Sequence, residues 1–329
     1  MAQETLSERK PRPPLLRPAI REAITGWLFA LPWIIGFIVF TVGPMAFSAF
    51  ASFTDYNITT DPHWVGTQNY SDLFHDDRFY LALGNTFWMV LVKVPLVTIA
   101  SIGIALLLNL NLPGDKAFRS VFYLPQVLSG VAAIFLWKWI LSSDGLFNNF
   151  LHLIGVPENQ LPAWFSDPLW TKPGLVIMGM WWIGGNILIF LAGLKGIPDQ
   201  LYEAAAIDGA KGWPMIRHIT LPMLSPTIFF QVVTGIIAAF QIFTTAYILS
   251  SNVAGSNMQA QGGPDGSLLF YVLYLYNRAF GKTGAGGFQM GYASAMAWVL
   301  FIIILIVTFI QLRLAKRWVY YETGDDRRG

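Results

Sequence analysis

Four segments of this chain, each roughly 20 residues or longer, contain no charged side chain; they lie at 23–54, 173–194, 221–249 and 283–312. As helices, runs of this length can cross the hydrocarbon core of a bilayer. A water-soluble fold would have to cover them with polar surface. The chain has few residues that could provide such a surface, since 54% of its 329 residues are apolar and only 12% are charged. Soluble domains contain about 25% charged residues. Lipid is therefore predicted to be its main solvent.

Two further apolar segments each contain one lysine, Lys93 and Lys138. Together the six segments predict an all-α, polytopic membrane protein with six transmembrane helices. We expect a tail at 1–25, a transmembrane domain at 26–314 and a second tail at 315–329. The spans are predicted at about 26–50, 81–110, 120–141, 173–194, 221–249 and 290–312.

The distribution of basic residues predicts the orientation. If the amino terminus is inside, the inner segments hold 15 of the 21 Lys and Arg residues and the outer segments hold four. The positive-inside rule then places both termini in the cytoplasm. The polar, proline-rich opening is not followed by a small-residue cleavage pattern, so the first span is expected to be an uncleaved anchor.

Lys93 and Lys138 allow two interpretations. A lysine near the end of a span can extend its ammonium to the membrane surface, and we expect both to lie in the outer halves of their spans. Alternatively, either lysine faces a transport pathway or a partner subunit, because a charge at the bilayer centre is costly and usually functional.

The outer loops at 55–80 and 142–172 combine tryptophan, tyrosine and proline. This composition is typical of an aromatic belt at the membrane interface, and docking of a partner is the alternative. The loop at 250–288 is rich in glycine and polar residues and is expected to be irregular, with a short helix at 268–280 lying on the surface.

The sequence offers no catalytic or metal-binding constellation. Gly281-Lys282-Thr283 resembles the end of a phosphate-binding loop, but that pattern requires a glycine where Tyr276 stands. Cysteine is absent, and a net charge of +2 gives no indication of nucleic-acid binding. The four histidines lack metal-site spacing; they are His63, His75, His152 and His218.

The most informative segment is 196–222, between the fourth and fifth spans. Asp199 can cap a helix with an alanine-rich interior, and Glu203 lies near its amino-terminal end. Gly209 is suited to end this helix in a left-handed conformation, and Pro214 to open a second short helix. A connector with good helix propensity is the simplest interpretation of these signals.

The spacing within this segment also resembles a known motif. Glu203-Ala204-Ala205, Gly209, Ile219 and Leu221-Pro222 match every fixed position of the EAA loop of binding-protein-dependent ABC importer permeases. Other segments are similar to the carbohydrate branch of that family, the maltose and glycerol-phosphate type. They are Leu31-Pro32-Trp33, Gly43-Pro44, Ser52-Phe53-Thr54-Asp55-Tyr56, Trp64-Val65-Gly66, Asn69-Tyr70, Phe122-Tyr123-Leu124-Pro125 and Met290-Gly291-Tyr292-Ala293-Ser294-Ala295.

The resemblance implies a type I ABC importer permease fold in a bacterial plasma membrane. The implied partners are a second homologous permease, a dimer of ABC ATPase subunits and an extracytoplasmic sugar-binding protein. ATP and Mg²⁺ would bind to the ATPase, with no cofactor in this chain. The implied ATPase-coupling residues are Glu203, Ala204, Ala205, Asp208, Gly209, Ile219, Leu221 and Pro222. The large periplasmic insert and extra leading spans of the maltose type are missing, so maltose is not assumed as the substrate.

A sugar pathway needs aromatic faces beside amide and hydroxyl groups. Helical spacing would place four residues of the fifth span on one face: Phe240, Gln241, Thr244 and Tyr247. Trp181, Trp182 and Asn186 of the fourth span are the other candidates, and the resemblance implies sugar contacts in both stretches. Hydrogen bonding between spans is the alternative role for such polar groups.

Two other classes of protein fit the sequence less well. A secondary transporter normally carries ionisable coupling groups at the midplane, whereas the carboxylates here lie in loops. A membrane enzyme needs polar catalytic residues clustered at one membrane face, and we find none.

Overall fold

The computed structural model describes residues 18–110, 113–251, 262–281 and 287–320. Within these ranges the regular structure is helical, apart from two isolated β-bridges, so the all-α prediction is confirmed. The predicted tails at 1–25 and 315–329 lie largely outside the described residues, as does the middle of the loop at 250–288.

The helices follow one another with short connections. In chain order they are α1 (Pro18–Phe37), α2 (Gly43–Ala51), α3 (Gln68–Phe74), α4 (Asp77–Asn109), α5 (Asp115–Val127), α6 (Gly130–Ile140), α7 (Leu146–Leu153), α8 (Pro168–Met180), α9 (Gly184–Lys195), α10 (Asp199–Ile207), α11 (Trp213–Met215), α12 (Leu221–Phe240), α13 (Thr244–Ser251), α14 (Tyr271–Ala279) and α15 (Met290–Ala315). Turns of π-helix at Ile38–Val42 and Ile216–Thr220 join α1 to α2 and α11 to α12. Single 3₁₀ turns lie at Glu158–Gln160 and Pro264–Gly266.

Four continuous helical stretches among the described residues are long and apolar enough to cross a membrane, and two bent helix pairs raise the number to six. The predicted third span, 120–141, is divided between two helices. The chain bends by 104° between α5 and α6, because Leu128 is extended and Pro125 lacks a backbone donor near the end of α5. Helices α8 and α9, the predicted fourth span, are bent by 52°.

Helix α4 is the centre of the packing. It contacts α9, α12 and α14 along its length. A close approach of α5 to α9 depends on Gly184, since a Cβ there would lie 2.0 Å from the Phe122 carbonyl oxygen. The chain outside this bundle is less enclosed: in the most apolar part of the stretch Glu22–Ala51, no residue is buried.

Helix α14 forms within the predicted 268–280 segment, but it does not lie on the surface. Five of its nine residues are buried. The Tyr271 hydroxyl donates to the Met296 carbonyl at 2.8 Å, and the Tyr271 amide donates to Thr86 Oγ1 at 3.0 Å. The irregular residues before α14 are held by Asn85 Nδ2, which donates to the carbonyls of Gly266 and Leu269. Buried backbone groups are satisfied in this way, and the surface prediction is wrong.

The predicted outer loops meet at one end of the bundle. The Gly291 amide donates to the Tyr56 carbonyl at 2.9 Å, which joins the first outer loop to the start of α15. Trp164, predicted for an aromatic belt, is only 4% exposed, and its Nε1 donates to Asn148 Oδ1 at 2.8 Å. This tryptophan therefore belongs to the protein interior, whereas Trp64 is exposed.

Candidate functional site

Helix α10 carries the Glu-Ala-Ala sequence at the end of the bundle opposite the outer loops. Pro198 occupies the capping position and Asp199 lies in the first turn without a side-chain cap hydrogen bond, so the prediction that Asp199 caps the helix is wrong. The acidic first turn still complements the helix dipole. No residue of α10 is buried.

The end of α10 is defined by glycine. Gly209 has φ +83°, as predicted for a residue in the left-handed region. Its amide donates to the Ala206 carbonyl at 3.1 Å, and the Ala210 amide donates to the Ala205 carbonyl at 2.9 Å. This is the hydrogen-bond pattern of a Schellman motif. Gly212 also has positive φ, +60°, and the sequence reasoning missed this second turn although its residue type was visible.

The second short helix predicted for this segment is continuous with the helix of the fifth span. Pro214 lies in its first turn as predicted, but α11 runs through the π turn directly into α12. The Tyr202 hydroxyl and Thr220 Oγ1, 3.0 Å apart, tie α10 to this junction. Ile219, Leu221 and Pro222 are half-buried there, as is Ala205, whereas the other predicted coupling residues are exposed: Glu203, Ala204, Asp208 and Gly209.

A cavity of about 340 Å³ lies between α4, α9 and α12. Its polar lining residues are Lys93, Thr98, Asn186, Gln231 and Thr234. Lys93 stands at the midpoint of α4, and its placement in the outer half of its span stays a prediction. A volume of this size is in the range of small-molecule sites.

The seven predicted pathway residues do not form one surface. Asn186 lines the cavity. The shared face on the fifth span does not exist, because the helix ends at Phe240 and resumes at Thr244. Phe240 is fully buried against Phe87, at 5.3 Å between ring centroids, whereas Gln241 and Thr244 are exposed.

The remaining three pathway candidates are half-buried aromatic residues. Trp181 contacts the rings of Trp137 and Trp182 at 5.8 and 5.5 Å. Tyr247 packs on Tyr276 at 5.4 Å. The substrate role of all seven residues stays a prediction.

A second, polar pocket of about 470 Å³ lies among the outer loops. At its base the Asp76 carboxylate accepts hydrogen bonds from the hydroxyls of Tyr274 and Tyr292 and from the Arg278 guanidinium. Burial alone would raise the pKa of Asp76, but the two tyrosines and the charge of Arg278 outweigh it and hold the pKa below its usual 3.8. No cluster of metal-ligating side chains occurs among the described residues.

A multi-pass helical bundle with an exposed, glycine-terminated helix at one end and a polar cavity between its spans defines the membrane-embedded subunit of a transporter. The family model described as "Binding-protein-dependent transport system inner membrane component" matches residues 97–320. The chain belongs to this family, and it is a permease subunit of an ABC importer.

Individual relatives agree with this assignment. The probable ABC transporter permease protein YesP of Bacillus subtilis is 41% identical, with 93% of this chain and 95% of that protein covered. The lactose transport system permease protein LacF of Rhizobium radiobacter is 34% identical, with 89% and 94% covered. A solved bacterial ABC transporter that imports the acidic polysaccharide alginate contains a chain with a TM-score of 0.71 and 25% identity, covering 91% of this chain and 97% of that one. The resemblance and the predicted permease fold are confirmed.

Proposed function

We propose that this chain pairs with a second, homologous permease to form the membrane channel of an ATP-driven saccharide importer. An extracytoplasmic binding protein delivers the saccharide, and two ATPase subunits, which bind ATP and Mg²⁺, dock on the cytoplasmic side. Both termini lie in the cytoplasm, as the excess of inner Lys and Arg indicates. The chain itself is non-catalytic.

The observation that carries the proposal is the connection between α10 and the cavity. Helix α10 follows α9 through residues 196–198, and Tyr202 bonds to Thr220 at the start of α12. Helices α9 and α12 both line the cavity. A displacement of α10 by the ATPase would therefore move two walls of the cavity together. Such rigid-body movement is a common way of switching between two states.

The saccharide class is inferred from relatives. LacF is named for lactose, and AraP of Bacillus subtilis, 33% identical, for arabinooligosaccharides. We propose that Asn186 contacts the sugar from the cavity and that Trp181, Trp182, Gln241, Thr244 and Tyr247 contribute along the route. Phe240 is buried in this state, so its contact requires the helices around it to move. The polar outer pocket offers hydrogen-bonding groups for docking of the binding protein.

Purification from native membranes tests the proposal. We expect the tagged chain to copurify with an ABC ATPase and a second membrane protein of similar size. The complex should hydrolyse ATP faster when saccharide-loaded binding protein is added, and saccharide uptake into proteoliposomes should require internal ATP. A chain that purifies alone and transports its substrate without ATP would contradict the proposal.

A further inference from the structure

Lys93 lines the cavity between α4, α9 and α12. Within the part of the chain that the structure describes, neither a hydrogen bond nor an ion pair reaches its ammonium. The side chain lies over Gly179, where an added Cβ would meet Lys93 Cε at 2.7 Å and Nζ at 3.3 Å. The absence of a side chain at residue 179 therefore leaves room for the lysine. An ammonium within an apolar membrane-spanning helix is costly when it has no counter-charge, which indicates a ligand.

The neighbours of Lys93 in the cavity are amides rather than acids. Gln231 is 8% exposed, and its Nε2 finds no hydrogen-bond acceptor among the described residues. Asn186 adds a second amide, and the described residues that line the cavity include no Asp or Glu. Thr234 donates its hydroxyl proton to the Phe230 carbonyl at 2.9 Å, so its oxygen remains an acceptor for a sugar hydroxyl. The cavity thus combines one positive charge with unused amide donors.

We propose that Lys93 and Gln231 bind the carboxylate of an acidic saccharide, one that contains uronic acid residues, as it crosses the membrane. The inference rests on the proposed function and adds a substrate class to it. One ammonium neutralises one carboxylate, whereas a phosphate monoester would retain uncompensated negative charge in a site of low dielectric constant.

The test uses the complete transporter in proteoliposomes, with binding protein outside and ATP inside. The probes are trisaccharides of galacturonic, glucuronic, mannuronic and guluronic acid, their carboxyl-reduced counterparts and glucose 6-phosphate. We expect wild-type uptake of at least one uronic acid trisaccharide. Lys93→Met should reduce this uptake about tenfold, as expected for the loss of one charge-assisted hydrogen bond, and Lys93→Arg should restore most of it. Lys138→Met, which removes a half-buried lysine outside the cavity, should leave uptake unchanged.

Several outcomes would overturn the inference alone and leave the proposed function standing. They are ATP-dependent uptake restricted to the carboxyl-reduced sugars or to the sugar phosphate, wild-type uptake of the uronic acid substrate by Lys93→Met, and loss of the second permease on purification of Lys93→Met. The last result would place an acid of the partner against Lys93. A wild-type complex that transports no saccharide of the panel would also overturn the inference alone, whereas a chain that purifies without an ATPase and transports without ATP would overturn both proposals.

Discussion

The Arg278 guanidinium lies 2.7 Å from the Asp76 carboxylate, although the two residues are 202 positions apart in the chain. Arg278 also donates to Gln289 Oε1 at 3.1 Å, and Tyr292 donates to Asp76. The pair therefore fastens the amino-terminal end of α4 to α14 and to the start of α15. Both side chains are less than one-fifth exposed, so the interaction is shielded from solvent.

Asp76→Ala should destabilise the protein by about 3 kcal/mol, because it leaves the Arg278 charge buried without its partner. Thermal unfolding of the detergent-solubilised complex measures the effect. Asp72→Ala is the matched control, since Asp72 is exposed in the same pocket and should change the midpoint very little. An equal shift in both variants would contradict a specific role for the Asp76 pair.

The advantage of wild type over Asp76→Ala should also depend on pH. The folded-state pKa of Asp76 lies below 3.8, so protonation is easier in the unfolded chain. The stabilisation is then fully present above the unfolded pKa and is lost as the pH falls through the folded one. Unfolding midpoints of the two proteins should differ equally at pH 7 and pH 5 and converge only at strongly acidic pH.

Gly184→Ala should disrupt the contact between α5 and α9. Its Cβ would lie 2.0 Å from a backbone oxygen that cannot rotate away, and overpacking of this kind costs about 1–3 kcal/mol. Gly185→Ala provides the control, since its Cβ would meet the Gln126 side chain at an ordinary 3.6 Å. We expect a lower unfolding midpoint for Gly184→Ala alone, and equal midpoints would show that the helices can separate freely.

Gly209→Val should uncouple ATP hydrolysis from transport. A β-branched residue in the left-handed region is strained by about 1–3 kcal/mol, and relief of that strain would redirect α10. Membrane insertion should be normal, with saccharide-stimulated ATPase activity and uptake both strongly reduced. Gly209→Asn should retain most activity because asparagine tolerates this conformation. Wild-type stimulation and uptake in the valine variant would show that the segment is only a connector.

Asn186→Ala and Gln241→Ala should impair saccharide uptake without affecting assembly. For Asn186, which lines the cavity, loss of a sugar hydrogen bond should lower the rate at limiting substrate about tenfold. Gln241 is exposed at the break between α12 and α13, where a passing sugar can reach it. Uptake kinetics and the subunit composition of purified complexes measure the two properties. Unchanged kinetics in both variants would remove these residues from the pathway.

Local signals predicted the parts of the fold that depend on neighbouring residues. The apolar runs predicted the spans, and Gly209 and Pro214 predicted the turn and the helix start at their correct positions. The 104° break after α5 was not predicted, because hydropathy reports which residues are apolar and not the direction of the backbone.

The cavity and the outer pocket could not be predicted for a different reason. The packing of α14 beside α4 brings together Asp76, Tyr274 and Arg278. Residues so far apart in the chain show no local sequence pattern that would predict such a contact. Lys93 was recognised as unusual, but its direction depends on the space above Gly179. The burial of α14 likewise follows from partners on α4 and α15 rather than from its own composition.

The unburied surface of α1 has a consequence for how the chain can change over evolutionary time. Trp27, Phe29 and Phe40, all in or just after α1, are more than two-thirds exposed, so exchanging one for another apolar residue removes little packing within this subunit. Folding of the remaining helices places little restriction on this segment beyond sufficient hydrophobicity and length. Its sequence can therefore change with the lipid composition of the host membrane or with the shape of a neighbouring protein. The helices around the cavity should tolerate fewer substitutions.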